Sequence, residues 1–538
     1  MIGRLAAAFA ILTAGLLVSC GPPTITRTAC APGKVCIERG ANGESQTLDP
    51  HKSSSTTEDE IDADLFVGLT QFDANANVVP GMATSWEASP DGLVWTFQLR
   101  DAKWSDGTPV TADDFVFSLG RAMDPKTASP YASLLYLIKN AQAVNEGKLP
   151  PSAIGARAID AHTLEITLNH PAPYLPNLAV HTMMAPIPRH IYEKWGDDHW
   201  ADPGHMVGNG PYTLAIWKLG DKIEERKNPL FWDADKVCGD VVRWYPITDS
   251  ISAERRVRRG ELDVHQDIQS NRIAFLRQPD QIPAYIHTHT WLGIDYLAFN
   301  EQLPKFQDKR VRQALSMAVD RDFITKKLMR GGQEPAYTFV PPGVANYALA
   351  DEPAWASWTL AQRQAEARRL LAAAGYGPRH PLKVEISHRN TSDPSLIMPA
   401  IQADWRSIGV DVTLLSLETQ LAYQAYEIKD FEIADAGWIA DYNDPMSFLY
   451  LMDSKTGPKN YGGYASPAYD AMLRAADHEP DLKKREEILR HGESAMLDDA
   501  PMVNLFYYIN KNIVAPRVTG FADNIVDKHR SRYLCLKN

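Results

Sequence analysis

The residues best placed to do chemistry sit in G-W-I-A-D-Y-N-D-P, Gly437 to Pro445, where a carboxylate, Asp441, follows Trp438 and precedes Tyr442. The apolar run F-E-I-A-D-A-G-W-I-A reads as a buried strand. An acid carried in at its end is costly to bury unless something positive meets it. Other candidate chemistry is thin. The chain has no H-E-x-x-H, G-x-S-x-G, S-x-x-K or phosphate-loop motif. The acid pairs Asp113-Asp114 and Asp498-Asp499 stand where helices start or chains turn and read as caps rather than a hydrolytic pair. His287 and His289, in H-T-H, fit one face of a strand but lack a nearby third ligand, so no metal site and no cofactor are expected. Nothing here compels an enzyme.

The elements that must position Asp441 belong to a large exported protein. One early cation, Arg4, precedes an uncharged apolar run from Leu5 to Val18, too short to span a membrane and suited to a secretory signal. Leu17-Val18-Ser19-Cys20 fits the bacterial lipobox, in which cleavage precedes Cys20 and that cysteine takes the lipid. The expected location is the periplasm or the outer face of a membrane, touched only through this lipid. More than 500 residues remain, enough for two or three domains. A net charge of -12 argues against nucleic acid as partner. Thirteen tryptophans and 21 tyrosines suit a protein that buries a ligand while hydrogen-bonding it, though core packing accounts for most of them equally well. In an oxidising compartment Cys30 can close a small loop with Cys36, and Cys238 can reach Cys535. Neither spacing is C-x-x-C.

Strand and helix signals alternate without a repeat, which predicts an α/β chain. Leu93 to Arg100 alternates as a half-buried strand, with a turn at Asp106-Gly107. Thr111 then caps a helix that has two acids in its first turn. Thr359 and Gln362 form a capping box for another helix, which Gly375 stops. No low-complexity linker separates independent domains.

Several segments together resemble the oligopeptide-binding proteins of bacterial ABC importers, in that family's order from about Gln46 to the C-terminus. They are L-D-P-H-K (48–52), P-G-M-A-T-S-W (80–86), D-A-K-W-S-D-G-T-P-V-T-A-D-D-F-V-F-S (101–118), D-P-K-T-A-S-P-Y-A-S (124–133), G-N-G-P-Y-T-L (208–214), R-R-G-E-L-D-V (258–264), R-V-R-Q-A-L-S-M-A-V-D-R (310–321) and G-W-I-A-D-Y-N-D-P. The resemblance implies a bilobal periplasmic-binding-protein-like fold, class II and of the large cluster C type, with an extra domain inserted in the first lobe. After a signal (1–20) and a tether (21–40), lobe I is expected at 41–66, 191–290 and 508–538, the inserted domain at 67–190 and lobe II at 291–507. By the same likeness Ser54, Ser55 and Thr56 face Gly437, Trp438 and Ile439 as strands around an extended peptide, with Tyr131 lining the groove and Asp441 holding the peptide's α-ammonium. The implied partners are an oligopeptide and an ABC permease with its cytoplasmic ATPase, served by a monomer.

The chain also departs from the family. The arginine expected six residues before Asp441 is Asp435, other cations that would clamp a ligand carboxylate fall near Ser395, at Met329 and at Tyr426, and a groove tryptophan becomes Thr419. An acid in place of a cation should repel a carboxylate. This predicts a longer peptide whose C-terminus reaches solvent, or one that turns a cationic side chain toward Asp435. The same fold also carries sugars, metal chelates and haem, which keeps a non-peptide solute as the alternative, with an envelope hydrolase less favoured.

Overall fold

The computed structural model describes residues 29–537. The signal segment and Cys20 lie outside the described residues. Among those residues no helix is long and apolar enough to cross a membrane.

Five strands and one helix position the site: β1 (Cys36–Ala41), β2 (Ile286–Phe299), β3 (Lys383–Arg389), β4 (Ile433–Ile439), β5 (Met502–Val514) and α1 (Thr56–Leu65). The strands belong to one mixed sheet of eleven. Ten of them run in order from Asp411–Leu417 through β3, β4, β2 and β5 to Val264–His265, β1, Val241–Pro246, Lys222–Lys227 and Tyr212–Lys218, and the eleventh, Glu334–Pro335, pairs with β5 off this path. At roughly 3.3 Å per residue, the fourteen residues of β2 reach about 46 Å, long enough to serve both halves of the molecule. Its first six residues are half-buried or exposed and its last eight are buried. The strands between residues 70 and 167 stay out of this sheet. They form a four-stranded sheet of their own (Ala83–Ala88, Val94–Leu99, Thr163–Thr167, Ala156–Asp160) and a small hairpin.

Local signals place the helices where the sequence predicts them. Thr359 and Gln362 make a reciprocal capping box at the start of Leu360–Ala373, and Thr111 does the same with Asp114 at Ala112–Met123. β1 is a correction. The tether expected through residue 40 gives way at Cys36 to a fully buried central strand, paired in parallel with Val241–Pro246 on one side and Val264–His265 on the other. Glu38 and Arg39 disguise it, because each finds a buried partner. Glu38 meets Arg243 at 2.8 Å, and Arg39 meets Glu60 at 3.3 Å and lies over Trp244. Burial of paired charge is tolerable where burial of either alone is not.

Cys30 is disulfide-bonded to Cys36 and Cys238 to Cys535, with Cα atoms 5.8 and 5.4 Å apart. The second bridge spans 297 residues and holds the strand Cys535–Leu536, which pairs with Val518–Thr519, against the first half of the molecule. Closing a loop of this length restricts the unfolded chain strongly, so Cys238→Ser with Cys535→Ser is expected to remove about 2–4 kcal/mol of stability. Denaturant midpoints of the oxidised wild type and the variant would show it; unchanged midpoints would mean the bridge is dispensable.

Candidate functional site: an open strand edge beside Asp441

β4 owes its place to register. It pairs antiparallel with β2, Gly293 opposite Ile439 and Asp295 opposite Gly437, while on its other side β3 covers it only at Ile433 and Ala434. From Asp435 onward that second edge is open. The N–H of Ala440 donates to the Leu292 carbonyl at 2.8 Å. By the alternation of an antiparallel ladder, Gly437 and Ile439 then turn their own N–H and C=O away from β2, toward the open edge. An edge of this kind can take a further extended chain.

A bulge shapes the strand beside it. Between Thr290 and Ile294 the pairing of β2 with β5 slips, and the ring of Tyr508 fills the space. A Cβ on Gly293 would come 2.6 Å from that ring, and one on Gly437 would overlap its hydroxyl. Two glycines thus cradle one tyrosine. Gly437→Ala is expected to push Tyr508 aside and weaken ligand binding about tenfold, on the scale of overpacking a core. Gly437→Ala with Tyr508→Ala should restore much of it, and an unaffected Kd in the single variant would refute this account of the cradle.

Beyond β4 the chain turns at Asp441. Its N–H donates to the buried Ser447 hydroxyl at 2.8 Å. Asp444, read from sequence as a turn residue, accepts from the Met446 N–H at 2.9 Å and from both terminal nitrogens of the buried Arg485 at 2.8 Å each. Tyr442 stacks on Tyr174 with centroids 5.3 Å apart, and the Arg485 guanidinium lies over Tyr174 at 5.1 Å. The Asp441 turn is therefore fixed from two sides. Its own carboxylate is not: Oδ2 is closed off from solvent and has no hydrogen-bond partner. Burial pushes this carboxyl up to about 7, against the pull of Lys528 and Lys459. Both lysines already have acids of their own, Asp59 for Lys528 and Glu427 for Lys459.

Tyr131 is half-buried, tilted against His181 at 5.3 Å, and its phenol is pushed up by burial and then by Asp441, which puts the two in one electrostatic space. Trp438 is nearly buried, its Nε1 without a partner, and meets the Tyr450 ring edge-on at 5.9 Å. Thr56 and Ile439 line one cleft together with Trp291 and Lys528. Thr56 and Ile439 thus share a cleft, and the first of the two segments has a form other than the one expected. Ser54 to Thr56 is not a strand. Ser55 is the N-cap of α1 in a capping box with Glu58, and Thr56 opens the helix. The N–H groups of Ser54 and Ser55 donate to Glu58 at 2.9 and 3.1 Å and are not free for a ligand. S-S-T-T-E-D-E carries that capping signal, which the likeness to a strand obscures.

Asp435 is the third correction. It is wholly buried, and Arg389 of β3 grips it through Nε at 2.9 Å and a terminal nitrogen at 3.2 Å. It neither repels a carboxylate nor waits for a cation, because it already has one. Arg389, Tyr423, whose hydroxyl accepts from Arg389 at 3.2 Å, Tyr450 and Tyr508 are functional candidates that sequence reasoning misses. Scattered aromatics and a lone arginine carry no spacing signal. Among the described residues no group of three His, Cys, Asp or Glu is placed to hold a metal ion.

The model of bacterial extracellular solute-binding proteins, family 5, matches residues 77–460. The periplasmic oligopeptide-binding protein OppA of Escherichia coli is 38% identical over 95% of both chains. The probable deoxycholate-binding periplasmic protein YgiS of the same organism is 34% identical over 88% of both. The solved structure of the Escherichia coli murein tripeptide binding protein MppA superposes with a TM-score of 0.86, at 35% identity, covering 95% of this chain and 99% of that one. MppA in its unliganded open form gives 0.74, so the halves here are set less like that open form. With two lobes sharing one sheet and a family match across most of its length, the chain belongs to the family 5 solute-binding proteins of ABC importers, and is a binding protein rather than an enzyme.

Proposed function

We propose that the protein captures oligopeptides between its two lobes, holds the peptide α-ammonium on Asp441, and presents the closed complex to an ABC permease driven by a cytoplasmic ATPase, from a lipid anchor at Cys20. The observation that carries this reading is the buried, unpartnered Asp441 Oδ2 next to the open edge of β4. An ammonium supplied by a ligand would satisfy a charge that the protein leaves unpaired. Peptide backbone would pair with Gly437 and Ile439, giving affinity without reading side chains.

The test is a thermal shift with random peptides of three to eight residues beside the same pool N-acetylated. Ligand that binds only the folded state raises the midpoint in proportion to its affinity. A shift with the free pool alone is expected; equal shifts would remove Asp441 from the amine site. A second reading rests on the relative named for deoxycholate and on the aromatic pairs beside the edge of β4, Trp438 with Tyr450 and Trp291 with Tyr508. A bile acid has a carboxylate and no amine, so it would leave Asp441 unpaired, and a shift with deoxycholate but no peptide would favour it.

A further inference from the structure

The Asp435–Arg389 pair has a direction. Asp435 has no exposed side-chain surface, Asp295 has 3%, and Arg389 has 14%. The acids form the floor and the guanidinium the face. Arg389 also reaches Asp295 at 3.4 Å and donates to the Tyr423 hydroxyl at 3.2 Å. Those contacts use four of its five N–H donors, leaving one on the nitrogen that faces Tyr423. Tyr508, the tyrosine cradled by Gly293 and Gly437, donates to Asp295 at 2.9 Å. Arg389 is thus joined to the β4 edge through Asp295 and Tyr508, and lies along the edge from Asp441. Resting on the peptide reading above, we infer that Arg389 is a specificity residue, its guanidinium receiving a carboxylate of the bound peptide. The cation missing from β4 is supplied instead by the neighbouring strand.

The electrostatics agree. Burial, and then Asp435, push the Asp295 carboxyl well above the ordinary range, which favours its uncharged form. The guanidinium is the least buried part of the cluster, so the end that a ligand would meet is positive. The carboxylate belongs either to the peptide C-terminus or to an acidic side chain.

Calorimetric titration of oligoalanines, from the tripeptide to the hexapeptide, as free acids and as C-terminal amides separates those sources, together with amidated peptides carrying Glu or Gln at each position in turn. A charge-assisted hydrogen bond predicts at least tenfold tighter binding of the acid over the amide at one length, or of Glu over Gln at one position. In Arg389→Gln with Asp435→Asn, which removes both charges, the preference should fall below about threefold. Arg389→Lys keeps the charge, loses the fork, and should show an intermediate preference. The midpoint of each ligand-free variant reports whether it has folded. Acid and amide, and Glu and Gln, binding within twofold throughout in the wild type would overturn the inference. So would a preference that survives in both folded variants. N-acetylated copies distinguish the two failures: binding lost on acetylation yet indifferent to carboxylates leaves the peptide reading standing, and no binding by any of these peptides overturns both.

Discussion

Asp441→Asn is expected to have opposite effects on the empty and the loaded protein. Peptide affinity should fall at least 100-fold, because the ligand's ammonium would be desolvated against a neutral amide. The empty protein should become more stable, because a buried carboxylate without a partner is gone. The sign with pH is fixed by the raised carboxyl. In the unfolded chain an aspartate releases its proton near pH 4, whereas Asp441 in the folded chain holds it to about 7. The folded state therefore binds more protons between these values, and stability present below about pH 4 is lost as the pH rises through 7. Glu301 and Glu493 are also raised to about 7, so the informative quantity is the difference in slope between wild type and variant. Peptide affinity should itself weaken about tenfold per unit below pH 7, since Asp441 must give up its proton to meet an ammonium. A variant that binds free-amine peptides normally would overturn the assignment.

The second large effect is expected at Arg485→Ala. The side chain is buried, donates twice to Asp444 and covers Tyr174. Removing it leaves the Asp444 carboxylate without its cation in the interior, a loss of about 3–5 kcal/mol. Denaturant unfolding should show this as a lower midpoint, and Arg485→Ala with Asp444→Asn should recover a good part of it. Because Asp444 fixes the turn that carries Asp441, affinity should also fall in the single variant. A change in affinity with no change in midpoint would mean that Arg485 touches ligand instead of supporting the turn.

Sequence carries the local features well and the long-range charges poorly. Thr359 and Gln362 announce a capping box because the interaction lies within one helical turn, and Gly437 to Pro445 marks the site because strand, acid and turn are contiguous. Asp435 misleads for the opposite reason. Its partner Arg389 is 46 positions earlier, on a parallel neighbour in the sheet, and nothing in either local context links them. β1 looks like tether for the same cause, since Glu38 and Arg39 are neutralised by residues as distant as Arg243. At Ser54 to Thr56 a local signal is available, and the capping box outweighs the strand that family likeness suggests.

The slip between β2 and β5 has a mechanical meaning. With Trp291, Leu292 and Gly293 all opposite Tyr508, and a second slip between Asp295 and Tyr296, the ladder is interrupted midway along the pair. Such an interruption would serve as a flexure in a molecule whose halves close on a ligand: bending would concentrate there, and the hydrogen bonds on either side would not need to break. Amide hydrogens from Tyr296 to Phe299, beyond both slips, should then exchange slowly whether or not ligand is bound, and the change on binding should be confined to the slipped stretch and the edge of β4.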